Sequence, residues 1–190
     1  MNDSTYSLDN GNTVQFETLK FYISKVELFQ NDLLVWESKN NFYLVDASDI
    51  KTRTIQLTIS DKLVYNNLKF NLGVDSITNV SGAMGGDLDP TKGMYWTWQS
   101  GYINFKLEGK SNLSQHPKKE FQFHLGGYQY PFNTLKKVSL NVTKKKKITI
   151  LFDVEQFIKY TDLAKKDHIM SPTTDAIKLS EFATTSFRIQ

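Results

Sequence analysis

The sequence predicts an all-β protein, an antiparallel β-sandwich with short helices near the C-terminus. Apolar and polar residues alternate along many short segments, as in strands with one packed face and one solvated face. Aromatic residues, which favour strands, are plentiful, with 13 Phe, 9 Tyr and 3 Trp. The 190 residues, 39% of them hydrophobic, suit one domain spanning residues 1–190.

Seven segments carry the alternation. In the first, Phe21 and Ile23 share a face, and the phase then changes to Val26 and Leu28, which predicts a bulge near Ser24–Lys25. The other six segments are the runs Ile55, Leu57 and Ile59; Phe70, Leu72 and Val74; Ile103, Phe105 and Leu107; Phe121, Phe123 and Leu125; Val138, Leu140 and Val142; and Ile148, Ile150, Phe152 and Val154. So many one-sided segments are typical of two packed antiparallel sheets.

Two stretches near the C-terminus have helical spacing of apolar residues. They cover residues 154–166 and 173–186, and Thr173 or Thr174 is placed to cap the second. The longest stretch without periodicity, Ser76–Gly93, is rich in glycine and is predicted to be a loop that packs beside the tryptophans that follow it.

Charge and composition exclude several classes. A net charge of +3 without a basic face does not predict nucleic-acid binding, and Lys144–Lys147 is interpreted as a solvated hairpin turn between strands. No apolar stretch has the roughly 18 residues of a membrane-spanning helix. The absence of cysteine excludes a disulfide framework and a thiolate metal site. Residues Met1–Asn12 are polar and lack a signal-peptide layout, which leaves a cytoplasmic protein or a mature form without its export segment.

Tryptophan provides the strongest local feature. If residues 94–102 form a strand, Trp96 and Trp98 point to the same face, and Gly101 then allows the phase to change. Together with Tyr102 they could be core residues, a stacking platform for a flat ligand, or electron-rich indoles for redox chemistry.

Histidine provides the candidate metal ligands. His124 points away from its apolar neighbours on a strand that ends in two glycines, so it is either a copper or zinc ligand or a structural histidine. His168, with the thioether of Met170 nearby, is the preferred second ligand, and His116, in a polar loop, is the other.

Acidic residues offer a weaker cation site. Asp75, Asp87 and Asp89 could converge on calcium, but calcium needs six to eight oxygens, and aspartates beside glycine and proline are ordinary turn residues. The sequence has no nucleophile-elbow motif and no phosphate-binding glycine loop, so we do not expect an enzyme.

The sequence also resembles the MbnP-like family of exported bacterial copper-binding proteins. The resemblance runs in order from about residue 13 to the C-terminus, and its most specific part is the Trp-x-Trp-x-x-Gly-Tyr block. The matching blocks are Leu19–Ser24, Tyr43–Asp46, Phe70–Ser76 with Asn79, Gly86–Pro90, Gly93–Tyr102, Phe105–Gly109, Phe123–Gly127 and Ile169–Pro172.

The resemblance implies a β-sandwich protein of the periplasm or cell surface, in a group that includes lipoproteins. It also implies a copper site in which histidines are joined by kynurenine, made from tryptophan by a di-haem peroxidase-like partner. Mapped onto this chain, His124 is the histidine and Trp96 or Trp98 the oxidised residue. The family usually begins with another strand, which this chain is expected to lack.

Three functions therefore remain in competition. The first is copper binding through His124 and a modified or unmodified tryptophan. The second is a module that binds a carbohydrate or another small ligand on Trp96, Trp98 and Tyr102. The third is a surface interaction protein without a metal, in which these residues are structural.

Overall fold

The computed structural model describes residues 4–8, 11–39, 42–99 and 101–190. Ser100 of the tryptophan block and part of the polar N-terminus, 1–3 and 9–10, lie outside the described residues. The strands are β1 Thr5–Ser7, β2 Thr13–Gln30, β3 Leu33–Glu37, β4 Phe42–Asp46, β5 Asn67–Leu72, β6 Tyr95–Trp96, β7 Gly101–Ser111, β8 Glu120–Gly126, β9 Tyr128–Gln129, β10 Phe132–Asn133, β11 Lys136–Asn141, β12 Ile150–Phe152, β13 His168–Ile169 and β14 Phe187–Ile189. The helices are α1 Ser76–Val80, α2 Val154–Lys159 and α3 Thr174–Thr185.

One large sheet organises the molecule. Its strand order is β11-β5-β2-β7-β8-β13, with β1, β3 and β4 paired to β2 and β6 paired to β7. Strand β13 runs parallel to β8, so the sheet is mixed rather than purely antiparallel. Among the described residues, no helix is long and apolar enough to cross a membrane.

The main core lies on one face of this sheet. Phenylalanines from the sheet meet those of the C-terminal segments: the ring centroids of Phe21 and Phe187 are 5.6 Å apart, and those of Phe105 and Phe157 are 5.0 Å apart. The covering layer contains α2, α3 and the two-stranded sheet of β12 and β14. A mostly β fold is thus confirmed, but two packed antiparallel sheets are not, because helices form much of the second layer.

The predicted bulge in β2 is confirmed. The register between β2 and β5 shifts between Ser24 and Glu27, and Lys25 has a φ of 45°. The one extra residue turns the strand, so that Phe21, Ile23, Val26 and Leu28 all reach the main core.

Three local predictions are wrong. Ile55, Leu57 and Ile59 pack against the core as expected, but residues 54–60 form no strand. Lys144–Lys147 does not close a hairpin, because β11 pairs with β5 whereas β12 pairs with β14. The first of the predicted C-terminal helices ends early, at Lys159, and a short helix also occurs outside the C-terminal third, at Ser76–Val80.

A smaller second core occupies the opposite face at one end of the sheet. Its buried members are Tyr22, Leu44, Val74, Leu88, Met94, Trp96, Tyr102 and Ile103. The segment Ser76–Gly93 covers it: the backbone N–H of Met84 donates to Tyr102 Oη at 2.9 Å, and Leu88 is buried beside Trp96. This segment therefore packs beside the first tryptophan, as predicted.

Candidate functional site on the outer face of the sheet

The two tryptophans lie side by side, as the sequence predicts, but a turn rather than a continuous strand brings them together. Strand β6 ends at Trp96, residues 97–99 turn, and Trp96 pairs with Gly101 at the start of β7. The ring centroids of Trp96 and Trp98 are 5.5 Å apart. Trp96 is 6% exposed whereas Trp98 is 64% exposed, so solvent reaches only one of the two rings freely.

Trp96 rests on strand β8. A Cβ atom added to Gly126 would lie 2.6 Å from the Trp96 ring, so glycine at this position makes room for the indole. Residues two apart on a strand point to the same side, so His124 and Gly126 share one face of β8. Trp96 covers this face at Gly126, two residues from His124.

His124 is buried and has a carboxylate partner. It is 6% exposed, points away from the main core, and its Nε2 lies 2.7 Å from Oε1 of Glu108 on β7. The ammonium of Lys106 lies 3.5 Å from the same oxygen. Among the described residues, Nδ1 of His124 has no hydrogen-bond partner.

Glu108 remains ionised over a wide pH range. The hydrogen bond from His124 lowers the pKa of the Glu108 carboxyl to about 2, burial opposes this shift, and Thr18 and Lys106 add to it. An ionised carboxylate at this distance fixes the orientation of the imidazole ring.

The other two histidines lie together. The ring centroids of His116 and His168 are 5.0 Å apart, and both side chains are about one-third exposed. His168 Nδ1 lies 2.8 Å from Oδ1 of Asp167. The structure therefore pairs His168 with His116, whereas His124 is paired with Glu108.

The remaining predicted site residues have structural partners. Tyr102 is 1% exposed and packs against the rings of Tyr22 and Tyr95. Asp75 caps α1 by accepting from the N–H of Thr78, and Asp89 accepts from the N–H of Thr91 at 2.8 Å.

Asp87 is also engaged. Its carboxylate lies 2.6 Å from Lys92 Nζ and accepts from the backbone N–H of Leu44 at 3.1 Å. These contacts match the alternative interpretation of the three aspartates as turn and loop residues.

A model of the MbnP family matches residues 1–172. The chain belongs to the MbnP family. Among solved structures, MbnP from Methylosinus trichosporium is similar, with a TM-score of 0.58 and 13% sequence identity, over 85% of this chain and 73% of that chain. At this identity the likeness concerns the fold. A comparison with curated protein sequences gives no match.

The MbnP family is associated with copper, and its members act outside the cytoplasm. Within the described ranges of this MbnP-family chain, no group of three or more His, Asp or Glu residues could hold a metal ion.

Sequence reasoning missed two residues of this arrangement, Glu108 and Asp167. Glu108 alternates with Leu107 on the polar face of β7, but its partner depends on the β7–β8 register, which places Lys106 opposite His124. A register extrapolated from the hairpin between these strands could have indicated the contact.

Proposed function

We propose that this chain is an exported, non-enzymatic copper-binding protein whose site is centred on His124 and Trp96. Membership of the MbnP family supports the metal. The observation that carries the location is the packing of Trp96 on Gly126, on the face of β8 from which His124 projects. Copper held there is stored or delivered, with no turnover.

His124 has the surroundings of a metal-binding histidine. In metalloproteins the ring nitrogen that does not bind the metal usually donates to a carboxylate, and Glu108 meets Nε2 in this way. Nδ1 then remains for the metal. Ile169 pairs with Phe123, the residue before His124 in β8, and the next residue along the chain, Met170, has a soft thioether of the kind that suits Cu(I).

The second ligand is proposed to arise by oxidation of Trp96 to kynurenine, because an indole is a poor metal ligand and the kynurenine amine and carbonyl are better ones. The C2–C3 bond of the indole breaks and each carbon gains an oxygen atom. This cleavage is a four-electron oxidation. Each of two molecules of hydrogen peroxide accepts two electrons, gives one oxygen atom to the product and leaves as water. Hydrolysis then releases the former C2 as formate.

The oxidising enzyme is proposed to be a di-haem peroxidase-like partner that acts outside the cytoplasm. Trp96 is buried, so such a partner would meet Trp98 first, whose ring is 64% exposed and 5.5 Å from that of Trp96. Trp98 is the alternative site of oxidation, and peptide mass spectra distinguish the two residues.

Copper titration combined with intact-mass measurement tests this proposal. Protein purified from its native host should show the replacement of one carbon by one oxygen and bind copper. The His124→Ala variant should bind that copper at least about tenfold more weakly, since its encoded ligand is gone. Trp96→Phe should lose both the mass change and the copper.

The matched control is His116→Ala, which removes a histidine of the β7–β8 loop rather than of strand β8, on which Trp96 rests, and should leave this copper in place. Equal affinity of the His124→Ala variant and the parent for this copper would contradict the assignment, as would copper whose binding depends on His124 in parent protein with an unmodified Trp96 and Trp98.

Exposure of Trp98 favours a second candidate, the binding of a flat ligand such as a sugar ring. The burial of Trp96 and Tyr102 leaves Trp98 as the accessible ring of the three. A sugar that binds the parent but not Trp98→Ala, with copper binding unchanged, would favour this function.

A further inference from the structure

His116 and His168 form a second cluster that the proposed copper site does not use. His168 belongs to β13 and pairs with Gln122 of β8, whereas His116 lies in the loop between β7 and β8. Their ring centroids are 5.0 Å apart.

We propose that His116 and His168 bind one divalent transition-metal ion, preferably Cu(II), through the Nε2 atom of each ring. This site does not use Trp96 or His124 and requires no modified residue. Neutral imidazoles suit Cu(II), which also binds most tightly among the divalent first-row metals.

The separation of the rings fits two ligands on one ion. A metal lies about 2.0 Å from a ligating imidazole nitrogen and hence about 3.2 Å from the centroid of that ring. The centroids of two rings on one metal are therefore roughly 4.5 Å apart when the nitrogen–metal–nitrogen angle is 90°, roughly 5.2 Å at 109° and roughly 6.4 Å at 180°. The observed 5.0 Å lies between the first two values. The centroid distance therefore matches a square-planar or tetrahedral ion better than a linear Cu(I) ion.

Asp167 holds the two histidines in place before any metal arrives. One carboxylate oxygen lies 2.8 Å from His168 Nδ1. The other accepts from the backbone N–H groups of Gln115 and His116 at 2.9 and 3.0 Å and lies 2.7 Å from Ser114 Oγ. The loop that carries His116 is thus tied to the residue before His168.

The orientation of His168 is that of a metal ligand. With Nδ1 directed at the carboxylate, Nε2 remains for the ion. The Asp167 carboxylate, which contacts the His168 ring and the backbone of His116, offsets part of the charge of a bound cation.

His116 needs a small adjustment. Its Nδ1 accepts a long hydrogen bond of 3.4 Å from the N–H of Lys118 and lies 3.7 Å from Glu120 Oε2. Metal binding at Nε2 places the ring proton on Nδ1, which can then no longer accept the hydrogen bond from Lys118. The protonated Nδ1 donates to the carboxylate of Glu120 instead. Both rings are about one-third exposed, so the ion can enter from solvent and water fills its other positions.

Titration of the chain with copper(II) sulfate, in a buffer that does not bind copper, tests the site. Protein expressed without a modifying partner, with tryptophans shown intact by mass, should bind one Cu(II) ion, and electron paramagnetic resonance should show two nitrogen ligands. His116→Ala and His168→Ala should each weaken binding at least about tenfold and reduce the nitrogen count by one. Asp167→Asn should weaken it by about 10- to 100-fold, as changes to the partner that orients a ligating histidine do.

His124→Ala is the matched control and should leave this Cu(II) site unchanged. Loss of the same Cu(II) in His124→Ala, or full affinity in both His116→Ala and His168→Ala, would overturn the proposal. His168→Gln provides a second variant if His168→Ala fails to fold, and full affinity there would also count against it. The intact tryptophans separate this result from the Trp96 proposal, which can fail or succeed independently.

Discussion

At the scale of residues, the pairing of Glu108 with His124 makes a prediction about acid stability. The ordinary pKa of 4.5 for this carboxyl falls to about 2 in the folded protein, so folding favours the ionised form. The stabilisation is complete above about pH 4.5 and is lost as the pH falls toward about 2. Glu108→Gln should therefore be less stable than the parent at neutral pH, and the difference should shrink in acid.

Urea unfolding of Glu108→Gln and the parent at pH 6 and pH 3 measures this difference. Glu155, which is half-exposed on α2, provides a control substitution, Glu155→Gln, for which little change is expected at either pH. A stability difference for Glu108→Gln that is the same at both pH values would show that the carboxylate charge is not responsible.

The sequence predicted the direction of a side chain correctly where the alternation of a strand alone determines it. His124 points away from Phe123 and Leu125 because alternate residues on a strand face opposite sides. The partner of His124, Glu108, depends on the register of the β7–β8 hairpin, which alternation alone does not give. The meeting of Asp167 and His168 with His116 joins distant segments, and nothing in the local sequence fixes it.

At the scale of elements, the segment 54–60 shows what alternation can and cannot predict. Its burial alternates as in a strand, with Ile55, Leu57 and Ile59 partly buried and the residues between them exposed. The segment nevertheless forms no strand. Alternation reports which side chains face the core, whereas a strand also needs a neighbouring edge with free backbone groups.

The meeting of β6 and β8 provides a testable element-level contact. A Cβ on Gly126 would lie 2.6 Å from the Trp96 ring and 2.8 Å from the Tyr102 carbonyl oxygen. Gly126→Ala should therefore displace the indole and cost about 1–3 kcal/mol of stability, as overpacking does. Tryptophan fluorescence and denaturant unfolding measure both effects.

Gly85→Ala is the control for this change. A Cβ at Gly85 meets no atom within 4 Å, and its φ of −92° is open to alanine. Unchanged fluorescence and stability in Gly126→Ala would mean that Trp96 does not rest on β8, and the location of the proposed copper site would lose its support.

At the scale of the whole molecule, strand β8 connects the two proposed sites. Trp96 covers its end at Gly126, and His168 pairs with Gln122 nearer its start. His124 lies between these two positions, two residues and hence about 7 Å from Gln122 along the strand. The outer face of one central strand thus supports both sites, while its inner face contributes Phe121, Phe123 and Leu125 to the main core.

The thin second layer explains why the predicted sandwich was only partly right. After residue 150 the chain forms α2, α3 and three strands of two or three residues each. Helical spacing in the sequence did predict α3, and Thr173, one of the two predicted candidates, caps it. Parallel pairing of β13 with β8 could not be predicted, because a two-residue strand has no periodicity of its own.

That thin layer should nevertheless be essential to the stability of the whole fold. Phe187 is 6% exposed, and its ring lies 5.6 Å from Phe21, 5.4 Å from Phe70 and 4.9 Å from Phe152. Phe187→Ala should cost about 3–5 kcal/mol because it leaves a cavity between the layers. Phe132→Ala, at a position that is 37% exposed, should cost less than about 1 kcal/mol.

Thermal unfolding followed by far-UV circular dichroism and by tryptophan fluorescence distinguishes one cooperative core from two. The three tryptophans lie outside the C-terminal layer, at Trp36, Trp96 and Trp98. If β14 closes the main core, Phe187→Ala should lower both transitions together, because loss of the second layer exposes the inner face of the whole sheet. A fluorescence transition that stays at the parental temperature while the circular dichroism transition falls would mean that the C-terminal layer unfolds separately and the sheet is stable without it.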